Sequence, residues 1–216
     1  MGKTGRITLV AALAVLAFGV GPFIYFRSVY SPGKRLREVT PGRVYRSGQL
    51  TAEGFEETIA RFGIRTVINV QDDFPDPKLS KSFWNTGEVQ ESTLCRRLGV
   101  RFVQLSPDLV SRKAAPEKHP LVLDQFLELM DDPALYPVLI HCKAGLHRTG
   151  ILTAVYRMEY EGWSPGAAYR EMKDMGFGPW VCTAANDYVF QYVLSYRPRA
   201  AGKANGLTSR IHGRKD

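Results

Sequence analysis

Apolar and polar positions divide the chain into one long apolar stretch followed by many short ones. Residues 7–26 form twenty consecutive positions without a charged side chain. A helix of about 20 residues rises about 30 Å, which is the thickness of the hydrocarbon core of a bilayer. The pattern therefore predicts a transmembrane helix over residues 7–26.

A cleaved secretory signal is the competing interpretation of this stretch. The apolar region of such a signal is usually shorter, and Gly19-Val20-Gly21 followed by Pro22 is a poor cleavage site. We therefore favour a retained, single-pass membrane anchor. More Lys and Arg side chains follow the stretch closely than precede it, and the positive-inside rule then places the rest of the chain in the cytoplasm.

Beyond residue 42, short apolar and β-branched runs alternate with segments of helical periodicity. The predicted strands cover residues 65–70, 100–105 and 138–142. The predicted helices cover residues 51–62, 88–98, 116–130, 149–161, 165–175 and 184–196. This alternation predicts an α/β fold, with a central, parallel-rich sheet of about four to five strands flanked by helices.

Local composition marks the limits of the predicted domain. Ser31-Pro32-Gly33 and Thr40-Pro41-Gly42 interrupt a basic stretch, so residues 27–42 are predicted to be a basic linker. The folded domain is predicted over residues 43–197. Gly, Ala, Asn and Lys are frequent in residues 198–216, which predicts a disordered basic tail.

The positive charge of the chain is concentrated at its two ends. The formal net charge is +8, but residues 1–46 contribute +7, residues 197–216 contribute +5, and residues 47–196 carry −4. A nucleic-acid groove needs a basic folded surface, so no nucleic-acid partner is expected. Basic ends beside an apolar segment instead favour an anionic membrane surface as the partner.

Residues 141–150, with the sequence HCKAGLHRTG, lie between a predicted strand and a predicted helix. A strand, a tight loop and a helix start direct unpaired N–H groups and the helix dipole at one point, which makes an anion site. Cys142 lies at the start of this loop, where such groups stabilise a thiolate. Arg148 lies at its end and offers a planar fork that matches two oxygens of a phosphate.

The cysteine and histidine positions do not indicate a metal site. Cys95, Cys142 and Cys182 have no regular spacing, and an odd number of cysteines argues against a disulfide framework. The four histidines form no metal-binding pattern with them. Neither a metal nor another cofactor is expected.

The strand, the Cys-x5-Arg loop and the helix together resemble the phosphate-binding loop of the protein tyrosine phosphatase superfamily. His141 before the cysteine and Arg148-Thr149-Gly150 at the end are most similar to the dual-specificity branch. The sequence YRSGQ, residues 45–49, resembles the opening motif of many small bacterial, plant and fungal members of that branch. It stands about 95 residues before the loop, where such domains begin.

This resemblance implies a role for each residue of the loop. Cys142 would be the nucleophile, the Thr149 hydroxyl would ease the departure of its sulfur, and His141 would orient the loop from beneath. The implied phosphate-binding residues are Lys143, Ala144, Gly145, Leu146, His147 and Arg148. The side chains of Lys143 and His147 are expected to point outward.

A thiolate nucleophile also needs a general acid that protonates the leaving oxygen. Ser106-Pro107-Asp108 follows a predicted strand and lies 34 residues before Cys142, and this spacing resembles the mobile acid loop of the superfamily. Asp108 is therefore the expected general acid. Asp72 and Asp73 are the alternatives, because their loop should open on the same side of the sheet.

The resemblance implies a membrane-anchored, cysteine-dependent phosphatase that hydrolyses phosphate monoesters through a phosphocysteine intermediate. The substrate would be a protein carrying phosphotyrosine, phosphoserine or phosphothreonine, or else a phosphoinositide or an inositol phosphate. Lys143-Ala144-Gly145 resembles the loop of phosphoinositide phosphatases, whereas Leu146-His147 departs from it. The alternative function is a catalytically silent module that uses the loop to recruit phosphorylated partners.

Overall fold

The computed structural model describes residues 2–26, 30–72, 74–82, 85–107, 120–178 and 189–199. Asp73, Asp108 and Cys182, which the sequence analysis names, lie outside the described residues. So do residues 200–216 of the predicted tail.

The N-terminal apolar stretch is helical from end to end. It consists of α1 (Lys3–Val15), a π-helical segment (Leu16–Val20) and α2 (Gly21–Tyr25). Thr4–Tyr25 is 22 residues long, none of its most apolar stretch is buried, and large side chains such as Phe18 stand 87 % exposed. By length and composition alone, this helix could cross a membrane.

The domain is built on a five-stranded sheet with two associated short strands. The strands are β1 (Arg37–Thr40), β2 (Val44–Gly48), β3 (Thr66–Asn69), β4 (Lys78–Ser80), β5 (Glu88–Gln90), β6 (Arg101–Gln104) and β7 (Val138–Cys142). The sheet has the order β1-β2-β7-β3-β6, and β4 pairs separately with β5. In the five-stranded sheet β1 is antiparallel to β2, while β2, β7, β3 and β6 run parallel. The separate β4–β5 pair is antiparallel.

Helices cover both faces of this sheet. They are α3 (Ala52–Phe62), α4 (Glu91–Arg97), α5 (Leu121–Asp131), α6 (His147–Tyr160) and α7 (Pro165–Asp174), with a 3-10 turn at Pro133–Leu135 and a π-helical segment at Phe190–Leu194. Successive residues of β7 enter different clusters: Ile140 packs in the core that contains α5 and α6, and Leu139 in the core that contains α3 and α4. The predicted α/β fold is confirmed.

Local capping signals set the ends of α3 as the sequence predicts. The side chain of Thr51 accepts a hydrogen bond from the Gly54 N–H at 3.1 Å, which satisfies one of the free donors of the first turn. Gly63 ends the helix with φ of +61°, a conformation that costs glycine little. The predicted helix over residues 51–62 is therefore confirmed.

The predicted linker at residues 27–42 contains a strand of the domain. β1 pairs with β2 in antiparallel register, with Arg37 opposite Arg46. Just before β1, the Gly48 N–H donates to the Lys34 carbonyl at 2.7 Å. The predicted domain start at residue 43 is therefore corrected to residue 37 at the latest. β1 has only four residues between two turn signals. This is too short for the alternation of apolar and polar side chains that marks a strand to be recognised in the sequence.

Two further boundaries differ from the prediction. Residues 88–90 pair with β4 as a strand, so the helix predicted from residue 88 begins only at Glu91. At the other end of the domain, Arg199 belongs to the folded structure and not to the predicted tail. Its guanidinium lies 2.6 Å from a carboxylate oxygen of Glu159 and 2.7 Å from one of Asp131.

Candidate active site

The predicted succession of a strand, a tight loop and a helix start is present at the end of β7. β7 ends at Cys142, directly beside Gly48 at the end of β2, and α6 begins five residues later at His147. The Gly145 N–H donates to the sulfur of Cys142 at 3.2 Å. Such a donor stabilises negative charge on the sulfur, as a thiolate nucleophile requires.

Gly145 is required at this place by its conformation and by its neighbours. Its φ is +72°, and a Cβ atom built on it would lie 2.5 Å from the Gly48 nitrogen and 2.6 Å from the Ser47 carbonyl carbon. Because both contacts are with backbone, no rotamer change could relieve them. The loop therefore packs directly against the end of β2, and any larger residue at 145 would displace it.

Three carbonyl groups of the loop are held from outside by neighbouring segments. The Arg35 guanidinium donates to the Ala144 carbonyl at 2.8 Å, and the Arg46 guanidinium donates to the Gly145 carbonyl at 2.9 Å. The Gln49 N–H donates to the Lys143 carbonyl at 3.3 Å. In a trans peptide unit the N–H points away from the carbonyl, so these bonds turn the next three N–H groups towards the inside of the loop.

Arg46 is a buried charge, with 3 % of its surface exposed. Burial lowers the pKa of its guanidinium, and the Glu171 carboxylate opposes this effect. A buried guanidinium close to the loop adds positive potential to the phosphate site. From the sequence, Arg46 is part of an opening motif and has no predicted role in the site.

Arg148 is positioned by a carboxylate from the neighbouring strand. Its Nη2 atom lies 2.8 Å from Oδ2 of Asp72, with the two side chains 25 % and 30 % exposed. Asp72 follows β3, which is adjacent to β7 in the sheet, so parallel strands bring both residues to the same edge. Of the three aspartates predicted for this site, Asp72 is the one among the described residues, and it lies at the loop.

His141 is fully buried beneath the loop and is paired with Glu91, the first residue of α4. Its Nε2–H donates to Oε1 of Glu91 at 2.7 Å, and both side chains are 0 % exposed. The edge of the imidazole packs against the Phe55 ring at 5.3 Å between centroids. A group so placed contacts no solvent. Glu91 was not predicted, because nothing in the sequence connects two residues 50 positions apart.

Glu91→Ala should lower the free energy of unfolding by about 3 kcal/mol, because it leaves the buried His141 without its carboxylate partner. Denaturant unfolding of the full chain in detergent micelles would measure this loss. Glu88→Ala is the matched control, since Glu88 lies three positions away with its side chain 55 % exposed, and should change stability by less than about 0.5 kcal/mol. Equal effects in the two variants would contradict a structural role for the buried pair.

The remaining side chains of the loop have different environments. Lys143 points outward as expected, with its ammonium 4.8 Å from the centre of the Phe74 ring. The same expectation is wrong for His147, which is 9 % exposed and donates from Nε2 to the Gly178 carbonyl at 3.1 Å. Thr149 is completely buried, and its Oγ1 has no hydrogen-bond partner within the described residues.

No group of three or more His, Cys, Asp or Glu side chains that could hold a metal ion occurs in the part of the chain that the structure describes.

The family model described as a DSP-PTPase phosphatase fused to NAD+ kinase matches residues 23–178. The chain belongs to this phosphatase family. The match includes the whole loop and the strands that position it. The resemblance to dual-specificity phosphatases is confirmed.

Two named proteins from other organisms are similar to parts of this chain. Dual specificity protein phosphatase TpbA from Pseudomonas aeruginosa is 52% identical over 42 residues, which cover 19% of each chain. Inositol diphosphatase SIW14 from Saccharomyces cerevisiae is 24% identical over 173 residues, which cover 77% of this chain and 54% of SIW14. The chain thus matches less than two thirds of the length of either relative.

Solved structures show the same fold. The core catalytic domain of SIW14 in complex with citrate aligns with a TM-score of 0.53 at 20% identity, covering 74% of this chain and 85% of that one. TpbA from P. aeruginosa aligns with a TM-score of 0.52 at 24% identity, covering 79% and 90%. At this level of identity the likeness establishes the fold of this phosphatase family member and not its substrate.

Proposed function

We propose that this protein is a membrane-anchored, cysteine-dependent phosphatase that hydrolyses phosphate monoesters through a phosphocysteine intermediate. The supporting observation is the loop itself. Cys142 and Arg148 lie at its two ends, and outside donors hold its carbonyl groups so that its N–H groups face inward. A tetrahedral phosphate fits such a site, because its oxygens meet N–H groups and a guanidinium while its phosphorus faces the sulfur.

In the first step the Cys142 thiolate attacks phosphorus in line with the leaving oxygen. The S–P bond forms as the P–O bond to the leaving group breaks. Arg148 and the inward N–H groups bind the equatorial oxygens, where charge accumulates in the transition state. Asp108 donates its proton to the departing oxygen, so the alcohol or phenol leaves as a neutral molecule.

In the second step water replaces the thiolate on phosphorus. Asp108, now a carboxylate, accepts a proton from the attacking water as the new P–O bond forms and the S–P bond breaks. Inorganic phosphate leaves and the Cys142 thiolate is restored. The Thr149 hydroxyl donates a hydrogen bond to the departing sulfur, a role that agrees with its complete burial at the start of α6.

We assign the acid to Asp108 in preference to Asp72 or Asp73. Asp72 lies 2.8 Å from the Arg148 guanidinium, so its carboxylate is already engaged in an ion pair with the side chain that would bind phosphate. Asp73 follows it directly in the same loop and remains the second alternative. In this assignment Asp72 positions Arg148, and Asp108 carries the proton.

The alternative is a silent module that binds phosphorylated partners without turnover. Release of phosphate from para-nitrophenyl phosphate by the full chain separates the two functions. Turnover that vanadate inhibits and EDTA leaves unchanged is the expected result, because vanadate imitates the five-coordinate phosphorus and no step uses a metal. Tight phosphate binding without any turnover would establish the silent module.

The relatives support two classes of substrate. A cysteine-to-serine variant of P. aeruginosa TpbA was crystallised in complex with pTyr, and it aligns with this chain at 25% identity and a TM-score of 0.50. SIW14 is named as an inositol diphosphatase. A phosphorylated protein and an inositol phosphate or phosphoinositide are therefore both proposed substrate classes for this site.

We also propose that the N-terminal helix is a single-pass anchor with the catalytic domain on the cytoplasmic side. The full chain should stay in the membrane fraction after carbonate washing, because the 22-residue apolar helix inserts stably. A chain that starts at Tyr30 should be soluble and active, since it keeps Lys34 and Arg35 beside the loop. Recovery of a mature form that begins near Gly21 or Pro22 would instead show a cleaved signal.

A further inference from the structure

A cavity of about 270 Å³ lies beside the catalytic loop. One part of its wall is basic and is formed by Lys34, Lys78 and Lys143. Another part is aromatic and is formed by Phe26 and Tyr30. The cavity therefore connects three different regions, which are the end of the N-terminal helix, the hairpin of β4 and β5, and the loop that carries Cys142.

Lys34 is one of the basic groups that line this cavity. Its methylene carbons lie so close to Gly48 that a Cβ atom on that glycine would come within 2.7 Å of them. Burial lowers the pKa of the Lys34 ammonium, and Arg35 and Lys143 lower it further, while Cys142 opposes them. No carboxylate of the described residues lies within ion-pair distance of this ammonium. An anion bound in the cavity would supply the missing negative charge.

Lys78 is available to the same anion. Its ammonium lies 3.6 Å from a carboxylate oxygen of Glu88, and these side chains are 67 % and 55 % exposed. An ion pair with this exposure contributes little, because water screens it. A phosphate group can therefore take the place of Glu88 at small cost. Lys78 and Lys34 together form a second anion position, next to the loop that binds the reacting phosphate.

The aromatic wall comes from the end of the membrane helix. Phe26 follows α2 directly and stacks on Tyr30 with 5.4 Å between ring centroids. The Arg35 guanidinium lies over the other end of this pair, 5.5 Å from the centre of the Tyr30 ring. Aromatic rings beside cationic groups are typical of the headgroup region of a bilayer. With Thr4–Tyr25 as the anchor proposed above, this end of the helix and the cavity beside it would lie near the lipid headgroups.

From these contacts, and resting on the phosphatase function proposed above, we propose that the cavity binds the headgroup of a membrane phospholipid that carries a terminal phosphate monoester. The loop of Cys142 holds the monoester. Lys34 and Lys78 hold the phosphodiester that joins the headgroup to glycerol. Phe26 and Tyr30 lie along the glycerol and the first acyl carbons. Such a substrate reaches the site from the bilayer without leaving it.

Vesicles of phosphatidylcholine test this proposal with the full chain inserted in them. The lipid substrate is phosphatidylinositol monophosphate in the same vesicles, and para-nitrophenyl phosphate is the reference. In Lys34→Gln and in Lys78→Gln, kcat/KM for the lipid should fall about tenfold more than kcat/KM for the aryl phosphate, because only the lipid has a second phosphate to lose. Lys81→Gln, which changes a lysine outside the cavity on the same hairpin, should leave both values unchanged.

A third substrate distinguishes recognition of the whole lipid in the bilayer from recognition of its headgroup alone. The deacylated compound, glycerophosphoinositol phosphate, carries the same two phosphates in solution and should be hydrolysed at least tenfold less efficiently than the lipid. Equal efficiency would overturn the membrane part of the proposal. An unchanged ratio of lipid to aryl turnover in Lys78→Gln, or faster turnover of a phosphotyrosine peptide than of the lipid, would overturn the cavity as a headgroup site. Failure to hydrolyse even the aryl phosphate would instead refute the phosphatase function itself.

Discussion

Replacing Cys142 with serine should reduce phosphate release by a factor on the order of 10⁴ or more, because a hydroxyl does not ionise near neutral pH and is a far weaker nucleophile. Binding of phosphate analogues should remain, since Arg148 and the N–H groups of the loop are unchanged. Steady-state rates with para-nitrophenyl phosphate and vanadate titration of the same preparation would measure the two properties. Activity that survives the substitution would refute the thiolate mechanism.

Cys95 offers a matched control for this experiment. It is fully buried beside α3 and β3, and burial, followed by Glu91 and Asp76, raises the pKa of its thiol to about 12. It therefore stays protonated throughout the physiological range and takes no part in catalysis. Cys95→Ala should retain most of the turnover, which separates loss of the nucleophile from general damage to the fold.

Arg148→Lys should be nearly as harmful as Cys142→Ser, because an ammonium lacks the planar fork.

Asp108→Asn should have a large effect on alkyl phosphates and a small one on aryl phosphates. A phenolate is a stable leaving group, whereas the alkoxide of phosphoserine or of an inositol is very basic and must be protonated as it leaves. General acids contribute on the order of 10²–10⁴-fold. The variant should therefore lose alkyl turnover within this range, and its pH–rate profile should lose the alkaline limb that reports the protonated acid.

Asp72→Asn distinguishes the two roles proposed for these carboxylates. Because Asp72 contacts Arg148, its loss should change phosphate binding and not the dependence of rate on the leaving group. Asp73→Asn should change neither property. If the leaving-group dependence appears in Asp72→Asn or Asp73→Asn while Asp108→Asn behaves like wild type, the acid comes from the loop after β3.

The parts of this fold that the sequence predicts well are those with local physical signals. Thr51 and Gly63 define α3 by themselves, because capping and a left-handed stop depend on neighbouring residues only. The predicted strand at residues 138–142 agrees with β7, since a parallel strand buried on both faces is a continuous apolar run. The phosphate-binding loop is predicted by the spacing of Cys142 and Arg148, because both residues must reach the same phosphate.

The parts that were missed depend on contacts between distant segments. Glu91 stands at the start of a helix like any surface acid, and only the folded chain shows that it is buried against His141. Lys34 and Arg35 belong to a basic stretch that predicts a linker, yet they lie beside the loop more than 100 residues further on. His147 turns inward because its Nε2–H donates to the Gly178 carbonyl. The pattern of apolar and polar positions does not predict this partner, which lies 31 residues further along the chain.

The ion pair of Asp72 and Arg148 has a consequence for substrate affinity and for product release. A phosphate that binds the guanidinium competes with a carboxylate 2.8 Å away from it. The dissociation constant of the phosphate therefore reflects a difference between two interactions of Arg148. One is the new contact with phosphate, and the other is the ion pair with Asp72 that phosphate weakens. The same competition acts on inorganic phosphate after hydrolysis. Under the proposed function, Asp72 would therefore weaken the binding of both the substrate and the released phosphate.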